Sequence, residues 1–326
     1  MRYSLFVSAF AAMFCLAFSG GQAASQTQSS SAKKSSEASA GATDLDQLMA
    51  RALQRRDVDR RVLSDYVLDE VERFEVTGAD RTPLKRSRRE YTWYVRDGIH
   101  VRSPLKFDGV PIPEDERRKY EEDWLRQEQA RQKRRAERAA EREKNNKPSF
   151  AGPPTEPRFV SEAYFLDFKF EPGNYYLAGR DKVDGRDVLK IDYYPTRLFD
   201  DDEHKQDQAR PKDKDDRIEQ DIDRKMNKTA LVTLWVDPSS AQIVKYTFEN
   251  VWMDFLPAAW LVRIDGLHAS MEMEQPFPGV WLPRNVAIDG SVTTAPGSFS
   301  VNYRRDFANY RKADVSTRIR IPKGGR

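Results

Sequence analysis

The clearest pattern in the chain is a strict alternation of apolar and polar residues from 267 to 274. Leu267, Ala269, Met271 and Met273 fall on one side, and His268, Ser270, Glu272 and Glu274 on the other. The same period recurs twice nearby. Val244, Tyr246, Phe248 and Asn250 oppose Lys245, Thr247 and Glu249, and Phe299, Val301 and Tyr303 share one side of a later segment. A period of two predicts strands with one buried and one solvated face, the habit of antiparallel sheets. Further strands are predicted at 66–76, 90–96, 99–103, 164–170, 175–180, 187–194, 230–236 and 284–292. Turn signals stand between them at Asp97-Gly98, Val183-Asp184-Gly185 and Asp237-Pro238-Ser239-Ser240. The long Val/Ile/Leu runs of a parallel sheet buried on both faces are absent. The apolar face must therefore close on itself, be covered by helices, or both.

Helical spacing appears first at the N-terminal side. Thr43 can cap a helix with Asp46 in its first turn, and Leu45, Leu48, Met49, Ala52 and Leu53 follow at helical intervals. A second short helical piece is predicted at 58–64. Residues 114–147 form a charged helical insertion without internal Gly or Pro. Acidic residues crowd its start and basic ones its end, the order that suits the helix dipole. Its few apolar anchors, Tyr120, Trp124 and Leu125, predict that the first half docks and the second projects, open to a coiled-coil or other partner contact. A Pro-rich linker at 148–157 follows, and a second charged insertion spans 199–228.

Composition adds an export signal. Residues 1–24 read as a signal peptide: Arg2, an apolar run over 5–18, and Gly21-Gln22-Ala23 before the cleavage point. Residues 25–43, rich in Ser, Ala, Gln and Lys, read as a flexible linker. The folded domain is expected over 44–320, with a tail at 321–326. The single cysteine, Cys15, lies in the segment expected to be removed, which excludes thiol catalysis and cysteine-based zinc sites. With 55 basic and 52 acidic residues the formal net charge is +3, and nothing in the balance draws the chain to nucleic acid. No second apolar stretch reaches membrane-spanning length.

Several segments together resemble a known superfamily. They are Gly173-Asn174-Tyr175-Tyr176-Leu177-Ala178-Gly179, the run from Val183 to Ile191, the run from Leu234 to Lys245, Gly279-Val280-Trp281-Leu282-Pro283, and Phe307-Ala308-Asn309-Tyr310-Arg311. Their order is similar to the outer-membrane lipoprotein-sorting (LolA/LolB-like) superfamily, including RseB/MucB-like domains. The resemblance covers 44–314 with both charged insertions outside it. It implies a mainly β (α+β) fold, a curved antiparallel sheet forming an unclosed half-barrel over N-terminal helices. It also implies an apolar cavity for acyl chains, and favours an arginine inside that cavity, which the sequence does not identify.

Candidate chemistry is sparse. No His-Glu-x-x-His, Gly-x-Ser-x-Gly, phosphate-loop or dinucleotide pattern occurs, so no catalytic residue, metal site or cofactor is assigned. Asp200-Asp201-Asp202-Glu203-His204 reads as a solvated acidic loop and His268 as a surface histidine. The expected apolar cleft is lined by Tyr246, Phe248, Leu267, Met271, Met273, Phe299 and Val301, with methionines suited to flexible chains. A membrane or partner contact is expected at Trp252, Phe255 and Trp260, and at Arg134, Arg135 and Arg138. The chain thus reads as a periplasmic lipid- or lipoprotein-binding, carrier-like domain, with peripheral contact to the envelope membranes left open. Its partners would be an acyl chain or a lipidated protein, and it would perform no covalent chemistry. The alternative is an envelope structural or regulatory domain with a filled core that meets partners through the charged helix. The sequence names neither the ligand nor the oligomeric state.

Overall fold

The computed structural model describes residues 43–144, 153, 155–164, 170–195, 230–250, 262–294 and 297–313. The segments read above as signal peptide (1–24), most of the linker (25–42), the 199–228 insertion and the tail lie outside them. Eleven strands form one antiparallel sheet in the order β4-β3-β2-β1-β11-β10-β9-β8-β7-β6-β5. The strands are β1 (Tyr66–Gly78), β2 (Pro83–Arg96), β3 (Ile99–Phe107), β4 (Val110–Pro111), β5 (Tyr175–Val183) and β6 (Arg186–Tyr193). They continue with β7 (Ala230–Asp237), β8 (Gln242–Asn250), β9 (Val262–Phe277), β10 (Val280–Thr294) and β11 (Gly297–Lys312). From β5 to β11 the chain is an up-and-down meander. The first four strands attach to it through β1, which pairs with β11. The sheet is not closed: β4 and β5 are its two edges.

Three hairpins turn on Asp-Gly pairs, Asp97-Gly98, Asp108-Gly109 and Asp184-Gly185, each with both residues at positive φ. That geometry matches the right-handed twist of the flanking strands and favours Asn or Asp followed by Gly.

Because antiparallel partners share a face, the registers define rows across the sheet. One row runs Leu234, Tyr246, Met271, Val286, Arg305, Glu72. The next runs Val232, Phe248, Ala269, Ile288, Tyr303, Phe74. A third joins Leu267, Gly290, Val301 and Val76. Val292 and Phe299 begin a fourth. This is the inner face. It is apolar over β6–β10 and becomes charged towards β1–β3.

Helix α1 (Asp44–Leu63) covers the apolar part. The Thr43 hydroxyl accepts from the Asp46 amide while the Asp46 carboxylate accepts from the Thr43 amide, a reciprocal cap. Leu48, Met49, Ala52, Leu53 and Leu63 of α1 are buried in one core with Ile191, Leu234, Tyr246 and Met271. The two helical pieces expected here are one helix. Nothing between Leu53 and Val58 breaks it, and Arg56 and Asp59 continue the buried stripe. Strand β2 begins at Pro83 rather than 90, because its polar first half pairs with β1 without being buried.

Helix α2 (Glu114–Lys144) docks by its first half on β3. The Trp124 indole N–H donates to the His100 carbonyl at 3.0 Å, and its ring meets Trp93 edge-on at 5.5 Å. Its described packing is against a strand, not the helix seam of a coiled coil. A short helix, α3 (Arg158–Ala163), stands between the expected linker and the expected 164–170 strand, where no element was expected. Phe159 and Val160 anchor it in the core, and Tyr164 caps its C-terminus; residues 165–169 of the expected 164–170 strand lie outside the described residues. Ion pairs tie these helices together. Glu128 accepts from Arg131 and Arg158, and Glu156 accepts from Arg60 at 2.9 and 3.0 Å.

At the charged end of the inner face, the Glu70 side chain is fully buried. It accepts from Arg102, from Arg305 at 2.7 Å and from the Trp93 indole at 2.8 Å. Burial works to raise its pKa, but the two guanidiniums overcome this and hold it at about 2. Burial acts unopposed enough on His100, beneath α2, to lower its pKa to about 4, against a hydrogen bond to the Tyr66 carbonyl and the charges of Glu128 and Asp65.

The sign for His100 follows from its lowered folded-state pKa. The unfolded chain takes the proton first, so stability is full above pH 6.5 and falls as pH drops to about 4, by about 3 kcal/mol. Urea unfolding of the wild type and His100→Leu between pH 7 and 4 tests this. The difference between their stabilities should shrink by about that amount across the window, carboxylate effects being common to both. Parallel curves would contradict it.

Candidate functional site

The inner face holds two distinct apolar regions. The first lies under α1. Tyr246, Phe248, Leu267, Met271 and Met273 are all buried in the main core. The second lies further along the same strands, where Val76, Val292, Phe299 and Val301 come together in the outer rows. Val76 and Val292 are buried and Phe299 and Val301 partly so, yet none of the four belongs to the main core. Gly290 sits between Leu267 and Val301 in the third row. A glycine inside a strand leaves the face without a side chain at that point, as where a ligand or another backbone approaches.

A small cavity opens between α1, the residue after α3, and the starts of β8 and the ends of β9. Arg56, Asp59, Tyr164, Tyr246, Met271 and Met273 are among its lining residues. Its volume of about 10 Å³ is the space of one water molecule. No acyl-sized cleft is present there: the methionine face expected to line one is packed against helix α1.

The polar groups of this cavity are held from several directions. Asp59 accepts from the Gln242 side chain at 2.9 Å and lies 3.3 Å from the Arg55 guanidinium. Burial raises its pKa against both partners. Arg55 also donates to the Gln242 side-chain oxygen and to the Gly279 carbonyl, which fastens α1 to β8 and to the β9–β10 turn. The Arg56 guanidinium lies 5.4 Å from the Tyr164 ring centre, and burial lowers its pKa. Tyr246 donates its hydroxyl to the Ala163 carbonyl at 3.0 Å. The Tyr164 hydroxyl is buried without a hydrogen-bond partner among the described residues, and burial raises its pKa well above the ordinary tyrosine value.

Arg56, Asp59, Tyr164 and Gln242 escaped the sequence reading. A signal existed for the first two. Met49, Ala52, Arg56, Asp59 and Leu63 keep three- and four-residue spacing, so both charged residues fall on the buried stripe of α1.

The expected contact residues separate. Arg134 is exposed. Arg135 is not a free surface cation: it is partly buried, 3.7 Å from Glu156. The side chain of Arg138, and Trp252, Phe255 and Trp260, lie outside the described residues. His268 is 41% exposed beside Glu249, as a surface histidine should be. The 200–204 acidic loop is also outside. Among the described residues, no three His, Cys, Asp or Glu side chains are grouped to hold a metal ion. No described helix is long and apolar enough to cross a membrane.

No protein-family model matches the chain. No curated protein matches it either. Solved structures do. A putative outer-membrane lipoprotein-sorting protein domain from Vibrio parahaemolyticus is similar over 84% of this chain and 95% of its own, at 10% identity and a TM-score of 0.34. The Pseudomonas aeruginosa MucA/MucB complex is similar over 84% of this chain and 100% of the matched chain, at 10% identity and a TM-score of 0.19. Mycobacterium tuberculosis lipoprotein LppX is similar over 84% of this chain and 100% of its own, at 12% identity and a TM-score of 0.22.

The two apolar regions should respond differently to truncation. Met271→Ala, in the main core, should cost about 2–5 kcal/mol in urea unfolding. Phe299→Ala, partly exposed and outside that core, should cost less, about 1 kcal/mol. Equal losses would mean that the outer rows belong to the same packed unit.

Proposed function

We propose that this chain is an exported protein of the cell envelope that binds an apolar ligand, an acyl chain or a lipidated protein, on the inner face of its open sheet. It uses no cofactor and makes or breaks no covalent bond. The observation that carries this reading is the outer apolar region of Val76, Val292, Phe299 and Val301, which continues the inner face beyond the main core. It adjoins Gly290 and Leu267, so a ligand on it would reach the β9 residues under α1. Each methylene buried there would contribute about 0.8 kcal/mol. Phe299, Val301 and Leu267 are the proposed contacts, with Tyr246, Phe248, Met271 and Met273 available where α1 gives way. The N-terminal 24 residues supply the export signal in this reading, and the envelope membranes the source of ligand.

A second reading is favoured by a specific observation. Five of the seven expected cleft residues are fully packed in the main core. A filled core suits a structural or regulatory domain that meets partners through α2, whose later residues Lys133, Arg134 and Glu137 are exposed.

A substitution at the outer region separates the two. Val301→Asp should weaken binding of a fluorescent fatty acid at least tenfold while lowering stability by no more than about 1–2 kcal/mol. Unchanged binding in a folded Val301→Asp protein would remove this region from the site. Met271→Glu is the poorer probe, because a buried charge at a core position would unfold the protein under either reading.

A further inference from the structure

His100 is a titratable group that the binding reading leaves unused. It sits on β3 opposite Val95 of β2, and the Phe159 ring of α3 lies 5.6 Å from its own. One ring nitrogen donates to the Tyr66 carbonyl. The other, Nε2, is buried with no hydrogen-bond partner among the described residues. In the neutral ring it leaves only a lone pair unused. In the protonated ring it would hold a charged N–H where nothing accepts it, a far larger cost. The charged groups that face the ring supply no acceptor. Glu128 of α2 is taken by Arg131 and by Arg158 of α3, and Asp65, just ahead of β1, makes no bond to Nε2.

The same residue carries the anchor of α2. Trp124 donates its indole N–H to the His100 carbonyl, meets Trp93 edge-on, and has the Arg158 guanidinium 4.7 Å from its ring centre. Leu125 is also buried, and Glu121 accepts from Tyr94 at 2.9 Å and from Ser103. No strand ladder passes through α2, so the helix can leave β3 without breaking a strand pair. We propose that His100 is an acid-operated release for α2: its ring takes the second proton when the helix lifts from β3, so acid favours the lifted state while the sheet stays paired. Burial holds the docked ring at about 4, and water would return it to the ordinary 6.5. A lowered pKa in the docked state means that docking is strongest above 6.5 and weakens as pH falls towards 4. Release would uncover Trp93 and the edge of β3, where β4 pairs with only Lys106 and Phe107.

Hydrogen exchange read by mass spectrometry on the full chain, from about pH 7 to about pH 4 and corrected for the intrinsic rate at each pH, measures how often each element opens. In the wild type the amides of residues 118–131 should be at least about tenfold less protected than those of β9 and β10, because α2 opens apart from the sheet. Across that range their protection should fall by about 100-fold relative to the same amides in His100→Asn. The asparagine can keep the bond to the Tyr66 carbonyl and does not titrate, and the carboxylates around α2 are common to both proteins. His100→Leu, which lacks the donor, is the second variant and should give the same relative fall. Parallel curves in the wild type and the variants would assign the acid response to the carboxylates and overturn the proposal. Equal protection of α2 and of β9 and β10 at every pH would mean that α2 opens only with the whole fold, which would overturn it as well.

Discussion

An eleven-stranded sheet that does not close has a broad apolar stretch of inner face to keep from water, and no second sheet among the described residues to do it. Everything else in this molecule answers that constraint. Helix α1 lays its stripe from Leu48 to Leu63 on the middle of the face, and α3 adds Phe159 and Val160. Helix α2 closes the β3 side with Trp124 and Leu125. Where the helices meet, carboxylates and guanidiniums join them, Glu128 to Arg158 and Glu156 to Arg60. The same row that carries Met271 and Val286 continues into Arg305 and Glu72, so the face changes from apolar to ionic without a break in the sheet.

That change falls at the junction of the two halves, β1 against β11. Glu70 on β1 must face inward to meet Arg305 on β11 and Arg102 on β3. A slip of one residue in the pairing would turn Glu70 to the outer face and leave two buried guanidiniums facing each other. Breaking such a group by removing one member costs about 3–5 kcal/mol, because the remaining charge stays buried. The network therefore acts on register as much as on stability. It joins the first four strands to the meander in a single alignment.

The strands were legible because their period is local. The alternation at 267–274 and the Asp-Gly turns at 97–98 and 184–185 identify β9 and two hairpins without reference to anything distant. The long charged run from Glu114 also announces its helix through composition alone. What stayed hidden is what depends on partners far along the chain. Helix α3 has six residues, too few for a periodic signal, and exists because Phe159 and Val160 find the core. The first half of β2 is polar on both sides and is a strand only by pairing with β1. The site was half legible. The apolar residues on β8, β9 and β11 do share one face, but no pattern within those strands tells that α1 covers one part and leaves another outside the core. Arg56 and Asp59 fall on a helical stripe where charge is unexpected. That anomaly is readable in the sequence, although its meaning comes only from the strands it faces.

Whether the inner face is a site or merely a core turns on the outer region around Val301. Its residues are buried or partly buried without belonging to the main core. Native mass spectrometry of the full chain purified from the cells that express it, with extraction of any bound lipid, tests this most directly. The account predicts a mass above that of the protein alone, by one acyl-containing molecule that is released on denaturation. A population at the mass of the bare protein, which also takes up no added fatty acid, would contradict it.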